Sequence, residues 1–319
     1  MGSSLGPAAG VRHTADAPRA ADRPLDSAEL TYDVHGVVLR VRSDLADVRD
    51  LVDATYGAFR QDGTTTGQVG GPAVEFALTD LRTGGPCLLT LPDGEARPVA
   101  DPGHGAIALL EAMVGTVVAG LYQRGVLAVH AGAAQGPRGA IVVAGRSGQG
   151  KSTLILGLVR RGLGLLSDEL ALLDPAAGLV HPYPRAIHVR PATIGLLPQL
   201  APLEGRPKHE LGGGSEWSVA PAEIANLLGG RLGSAAPLAG VVLLDGLPDG
   251  AAAPRIRDEI PAVAALDLLR STWAASADFG ATLEAVGGML ADVPCVRLSV
   301  GRFDATVEAL VAHLGLADG

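Results

Sequence analysis

The chain has 319 residues, enough for about two domains at roughly 150 residues each. With 34 acidic and 25 basic residues, its net charge of −9 argues against the concentrated basic face that nucleic-acid binding needs. Hydrophobic residues make up 47% and aromatics only 3%, so the core must be mainly aliphatic.

Residues 1–28 mix Ala, Pro, Asp and Arg without an apolar run. They read as a disordered segment and not as a secretory signal. From Glu29 the pattern becomes regular and predicts a small α+β domain over residues 29–124. Its expected elements are a strand at Val37–Val41, a helix over Asp44–Phe59, and a polar loop at Gln61–Gly71. Short strands at Val74–Leu78 and Cys87–Leu91 flank the turn Thr83–Pro86, and a helix runs from about Gly105 to Gln123. The apolar stretch 106–122 raises the question of a membrane span. Glu111 interrupts it, however, and it is shorter than the ~20 residues a span requires. Ile107, Leu110, Val114, Val117 and Leu121 recur at three- and four-residue spacings, which predicts an amphipathic helix against a core. No site chemistry is visible in this region.

A second domain is expected over residues 125–319. Strands at Val126–Val129 and Ala140–Ala144 read as joined by the hairpin-like loop Gln135–Gly139, and a helix follows from Lys151 to Arg161. A strand at Leu163–Leu166 runs into Ser167-Asp168-Glu169. Further strands are expected at Leu170–Leu173, Ala186–Val189, Val241–Leu244 and Val296–Leu298, with a Pro/Gly-rich loop at Ala201–Gly214 and a last helix at Ala305–Leu314. The order strand, helix, strand, then mixed strands predicts an α/β fold. Cys87 and Cys295 are too few and too far apart for a disulfide framework or a metal cluster. A cytoplasmic protein with no membrane and no nucleic-acid partner is the expectation.

One motif stands out. Gly145-Arg146-Ser147-Gly148-Gln149-Gly150-Lys151-Ser152 satisfies G-x-x-x-x-G-K-[ST] at every position, after an apolar strand and before a helix. Glycines let successive N–H groups curve around a phosphate, and a helix N-terminus adds unpaired donors. Lys151 would place an ammonium on the β- and γ-phosphates, the Ser152 hydroxyl would complete the coordination of Mg²⁺, and Thr153 continues the loop into the helix. Of the 25 basic residues only Lys151 and Lys208 are lysines. Against that scarcity Lys151 has a reason to be lysine, whereas Lys208 reads as surface.

A nucleoside triphosphate site does not name a reaction, and two acidic sites compete for the second role. Asp168-Glu169 reaches the P-loop edge of the sheet if its strand returns parallel to Ala140–Val143, the edge where open α/β sheets bind ligands. Asp245, ending Val241–Leu244, reads equally as the acidic end of a Walker B strand or as a turn residue before Gly246. His130, at the end of Val126–Val129, is a third candidate.

Together, Val129-His130-Ala131, the loop Gly145–Thr153, Arg160-Arg161-Gly162 and Leu166-Ser167-Asp168-Glu169 resemble the catalytic domain of HPr kinase/phosphorylase. The resemblance covers about residues 125–195 and continues more weakly through Val293–Leu298; residues 29–120 do not share it. It implies an α/β P-loop kinase-like domain with a mixed sheet, of the HPr kinase/PEP carboxykinase-like kind, using ATP and Mg²⁺. By the same resemblance Asp168 would be the base, with His130 close by and Glu169 beside the metal. The implied acceptor is a serine hydroxyl of a peptide or small protein, or free serine, and shorter relatives accompany peptide natural-product pathways. The family permits a homo-oligomer. Arg190 matches a family arginine, but His188 stands where an acid is expected, and Glu169 replaces an Asp. Arg231 is only near the family's phosphorylase-loop arginine. Two other readings stay open: a P-loop ATPase or switch with Asp245 as Walker B acid, and a nucleotide-dependent scaffold.

Overall fold

Period-two burial runs through the first two strands, and this alternation lays down a sheet with one face inward. The computed structural model describes residues 28–61, 73–81, 85–211, 214–246, 250, 252–273 and 278–316. The disordered segment expected over 1–28 and the loop expected over 61–71 lie, but for one residue each, outside that set, as does the first half of the turn 83–86.

Strands β1 (Glu29–Val34) and β2 (Val37–Ser43) form a hairpin whose turn places His35 and Gly36 at positive φ, 50° and 86°. The helix expected over Asp44–Phe59 is α1 (Ala46–Tyr56), tightening into a 3₁₀ turn at Gly57–Phe59. β3 (Val74–Asp80), β4 (Cys87–Thr90) and β5 (Ala96–Val99) complete a five-stranded sheet in the order β1-β2-β3-β4-β5. β1 and β5 go beyond the predicted set. α2 (Pro102–Tyr122) is capped by the Asp101 carboxylate, which accepts from the His104 N–H at 3.0 Å.

α2 is long and apolar enough to cross a membrane, but its buried face (Leu109, Met113, Val117, Leu121) shares a core with the five-stranded sheet. The predicted stripe holds at Val114, Val117 and Leu121 and departs at its start. Ile107 is 45% exposed and Leu110 only partly buried, while Ala106 and Leu109 point inward. The helix is apolar nearly all round, so its few polar positions decide its orientation. His104 and Glu111 share a face with Ile107 by helical spacing and turn it to solvent.

The rest of the chain is mixed α/β. β6 (Leu127–Val129) does not pair with the strand before the P-loop. That hairpin is formed by β7 (Ala131–Gly136) and β8 (Gly139–Ala144), and β6 pairs instead with β10 (Ala171–Asp174). β7 is Ala- and Gly-rich, with little intrinsic strand preference. It needs small side chains because a Cβ at Gly132 would stand 2.5 Å from Ile155 Cγ1. Gly139 at the hairpin turn has φ 137°, and a Cβ there would meet the Pro237 carbonyl at 2.2 Å. Gly139→Ala is therefore expected to destabilise the protein by roughly 1–3 kcal/mol. An unchanged midpoint in thermal unfolding would show that this turn relaxes freely.

After α3 (Lys151–Arg160) the chain turns at Gly162, φ 92°, into β9 (Gly164–Ser167). β9 pairs antiparallel with β7, which pairs antiparallel with β8. β9 therefore runs in the same direction as β8 with β7 between them, and its carboxyl end lies at the P-loop edge. β11 (Leu179–His181) pairs with β10, and β12 (Ile187–Val189) leads to α4 (Pro191–Leu196). The loop expected at 201–214 contains the end of a 3₁₀ turn and β13 (His209–Leu211), and closes at the start of β14 (Gly214–Val219), which pairs with β12 and β13. α5 (Pro221–Leu227) and β15 (Arg231–Leu232) follow, then β16 (Ala236–Leu244). The chain ends with β17 (Arg255–Asp258), α6 (Pro261–Arg270), α7 (Phe279–Leu290), β18 (Cys295–Ser299) and α8 (Phe303–Leu314).

β16 divides its pairing. Ala236 and Pro237 bond β11, while Val241–Leu243 pair in parallel with both β8 and β18, and Leu244 with β18 alone. The sheet order is β15-β9-β7-β8-β16-β11-β10-β6, with β18 and β17 branching from β16. One core lies between this sheet and α3, α4, α5 and α8, and a second on its other side, between its strands and α6 and α7. The core of the first sheet also takes in Val126, Ala128, Leu170, Leu172 and Tyr183 from the later chain. The N-terminal unit thus packs, largely through α2, onto β6 and onto β10, the strand that follows the acid pair.

Candidate functional site

The site is built where β8 ends. Residues 145–150 form a loop in which Gly148 and Gly150 have φ 81° and 93°, a left-handed conformation that strains any side chain. Gly145 is required for a different reason: a Cβ there would meet Gln149 Oε1 at 2.7 Å and Leu244 Cβ at 2.8 Å. The Gln149 amide oxygen accepts from the Arg146 N–H at 2.5 Å, pinning the loop across its own mouth. Gly150 starts α3, whose first turn holds no acidic residue to offset the partial positive charge of its N-terminus. The buried Lys151 ammonium donates to the carbonyls of Gly145 at 2.9 Å and Arg146 at 3.2 Å. Burial lowers the Lys151 pKa, and the Glu169 and Asp168 carboxylates oppose that shift.

The acid pair is set by a turn. Ser167 Oγ accepts from the N–H groups of Glu169 and Leu170, at 3.3 and 3.1 Å, and stops β9 there. Ser152 Oγ lies 3.5 Å from the Asp168 carbonyl oxygen. Asp168 is buried, and its carboxyl is pushed up to about 7, first by burial and then by the neighbouring Glu169 charge. Arg185 pulls the other way. Its largely buried guanidinium pairs with Glu169 Oε2 at 3.4 Å.

A cavity of about 390 Å³ joins these parts, lined by Ser147, Gly148, Gly150, Lys151, Ser152 and Thr153 on one side. Asp168, Glu169 and His130 line it as well, and β12 and β14 contribute His188, Arg190 and Glu216. Glu216, only 11% exposed at its side chain, lies 3.3 Å from His188 Nδ1 and 3.4 Å from Arg190 Nε. A carboxylate therefore does stand beside His188, carried by the adjacent strand.

A second cavity, about 760 Å³, opens on the other side of the loop, walled by His130, Arg146, Asp245, Asp267, Arg270 and Arg297. Asp245 belongs to this cavity, and its carboxylate pairs with Arg257 at 3.4 Å. The structure thus brings Asp168 and Glu169, and not Asp245, to the Lys151–Ser152 side. His130 borders both cavities. Burial, and then the Lys151 charge, hold its imidazole below the usual range, and its buried Nδ1 has no hydrogen-bond partner among the described residues. Arg231 lines neither cavity and donates to Gln135 Oε1 at 3.0 Å. Lys208 is exposed, with its ammonium 4.5 Å from the Trp217 ring centre.

Residues that sequence reasoning missed here are Glu216 and Arg185, with the rings of Tyr56 and Tyr183 around the latter. Pro182-Tyr183-Pro184-Arg185 was a legible signal, an aromatic between two prolines with a cation directly after them in an aromatic-poor chain. Glu216 carried none.

Among the described residues no group of three or more His, Cys, Asp or Glu side chains could by itself hold a metal ion. No family model and no curated protein matches the chain. Among solved structures it is similar to the Hpr(Ser) kinase/phosphatase from Coxiella burnetii, at 15% identity over 59% of this chain and 96% of that one, with a TM-score of 0.29. The likeness is too remote to assign a role to any residue.

Proposed function

We propose that the chain is an ATP-dependent kinase that transfers the γ-phosphoryl group to a hydroxyl, a serine of a peptide or small protein, or free serine. The observation that carries this reading is one cavity holding the loop 147–153, Lys151, and a buried carboxyl of near-neutral pKa. Loop N–H groups and the Lys151 ammonium are suited to the phosphates. The open space around a Cβ at Gly148 leaves the loop backbone accessible to them. Phosphoryl transfer asks little covalent chemistry of a protein beyond positioning, charge and a base. Asp168 would accept the acceptor's hydroxyl proton as the new O–P bond forms, and ADP would depart carrying the β-phosphate oxygen of the broken bond. A neutral His130 offers a hydrogen bond without adding a second positive charge beside Lys151.

The donor set fits Mg²⁺, which takes few protein oxygens and keeps water and phosphate as its other ligands. Ser152 Oγ and Glu169 would hold it, and the ion would neutralise charge on the phosphate oxygens. The acceptor's identity and a setting in a peptide-modifying pathway belong to this proposal as well.

The test is mass spectrometry for a phosphate-sized gain on serine-bearing peptides and on free serine, with ATP and Mg²⁺. Asp168→Asn is expected to abolish the gain and Asp245→Asn to retain it. Hydrolysis that needs no acceptor and is lost in Asp245→Asn would instead identify an ATPase or switch.

A further inference from the structure

Four of the ten aromatic residues, Tyr32, Tyr56, Phe59 and Tyr183, gather in one chain of ring contacts between the N-terminal sheet and the strands behind the acid pair. Such a concentration in an aromatic-poor protein calls for a physical reason. Two of the rings, those of Tyr56 and Tyr183, lie against a cation. Arg185 lies over the Tyr56 ring at 5.3 Å and the Tyr183 ring at 5.9 Å, and the two tyrosine hydroxyls are 3.4 Å apart.

We infer that the N-terminal unit completes the kinase site: Tyr56, at the end of α1, fixes the Arg185 guanidinium, which in turn holds Glu169 in place beside Asp168. Arg185 side-chain exposure is 13%, and its buried Nε has no hydrogen-bond partner among the described residues. Ring faces and the Glu169 carboxylate are thus its principal restraints. A desolvated guanidinium over an aromatic face is among the stronger contacts of this kind. Planar stacking is also something a lysine ammonium cannot reproduce. Tyr56 is anchored in turn: its ring lies 5.9 Å from that of Tyr32, whose hydroxyl donates to Asp53 on the same helix. A path of contacts therefore runs from α1 to the cavity wall. Tyr56 and Arg185 are positioning residues, acting on substrate only through Glu169.

The inference rests on the kinase reading for its functional arm, and its structural arm is independent of that reading. Full-length Tyr56→Leu, Tyr56→Phe and Arg185→Lys would be compared with the wild type in two measurements. The first is amide hydrogen exchange of residues 167–170 without nucleotide. Tyr56→Leu and Arg185→Lys are expected to speed exchange there by about tenfold and to leave the β7–β8 hairpin unchanged. The second is transfer kinetics beside ATP affinity with and without Mg²⁺. The same two variants are expected to lose about tenfold in kcat and most of the Mg²⁺-dependent gain in affinity, with metal-free ATP affinity kept within about threefold. Tyr56→Phe, which retains the ring, is expected to behave as wild type. Unchanged exchange at 167–170 in both Tyr56→Leu and Arg185→Lys overturns the inference. Altered exchange with no transfer by the wild type to any acceptor overturns only the kinase reading. If Tyr56→Leu fails to fold, unchanged exchange at 167–170 in Arg185→Lys alone overturns the inference.

Discussion

Replacing Asp168 by asparagine is expected to stabilise the protein at alkaline pH while abolishing transfer. Its carboxyl is buried and raised from 3.8 to about 7, with burial the largest cause and the Glu169 charge the second. A carboxyl raised in the folded state contributes its full stability below the unfolded value of 3.8, and that contribution is lost as pH rises towards 7. Above neutrality the folded protein carries a disfavoured buried charge worth on the order of 4 kcal/mol at most. Asparagine has no such charge. The thermal midpoint of Asp168→Asn should exceed that of the wild type by about 5 °C at pH 8, with a smaller margin at pH 5. Calorimetry at the two pH values checks this. A variant no more stable than the wild type at pH 8 would show that the carboxyl is not strained. Transfer should meanwhile fall by roughly 10²–10⁴, the usual contribution of a general base. A base of pKa near 7 is also well matched to neutral pH, so wild-type transfer should rise with pH through neutrality and then level off. Stability lost at the site and the capacity to take a proton have the same origin in burial of this one carboxyl.

What could be read from the sequence divides along the range of the interactions. The loop 145–152 was legible because its chemistry is local: two glycines at positive φ, one at a close approach, and a lysine at the start of a helix. The direction of β9 was also legible, although the strand that makes it parallel to β8 was not. β7 is Ala-Gly-Ala-Ala, and only the crowding of Ile155 explains why so small a run is a central strand. The role of Arg185 was hidden because its second ring partner comes from across the fold: Tyr56 is separated by 127 residues from Tyr183, so the Pro182–Arg185 run alone could not show what packs on its cation. Glu216 reaches His188 through the pairing of β12 with β14, which no local pattern announced. Nor can a sequence show that Asp168 is buried, and burial is the main reason its proton affinity departs from that of a free carboxyl, whereas Asp245 lies half-exposed beside Arg257. The ranking of the two acids, open at the level of sequence, is thus a matter of surroundings.

Lys151→Ala is expected to cost more in transfer than any change outside the acid pair. The ammonium is buried, tied to two loop carbonyls, and close enough to Glu169 and Asp168 to feel both charges. Its removal takes away the one lysine charge at the loop and the hydrogen bonds it donates to the Gly145 and Arg146 carbonyls. Loss of a preorganised charge at a developing phosphoryl group is worth about 10²–10³ in rate. Lys151→Arg should not rescue it. A guanidinium is planar and broad, while the loop closes around Lys151 through the Gln149–Arg146 hydrogen bond and the tight packing at Gly145. Titration calorimetry with ATP and single-turnover transfer would measure binding and chemistry separately. Both variants are expected to lose at least about 10²-fold in transfer, and Lys208→Ala, at the exposed ammonium over Trp217, to lose nothing. Retention of wild-type transfer by Lys151→Arg would show that charge alone suffices at this position and that the close fit of the loop has no part in catalysis.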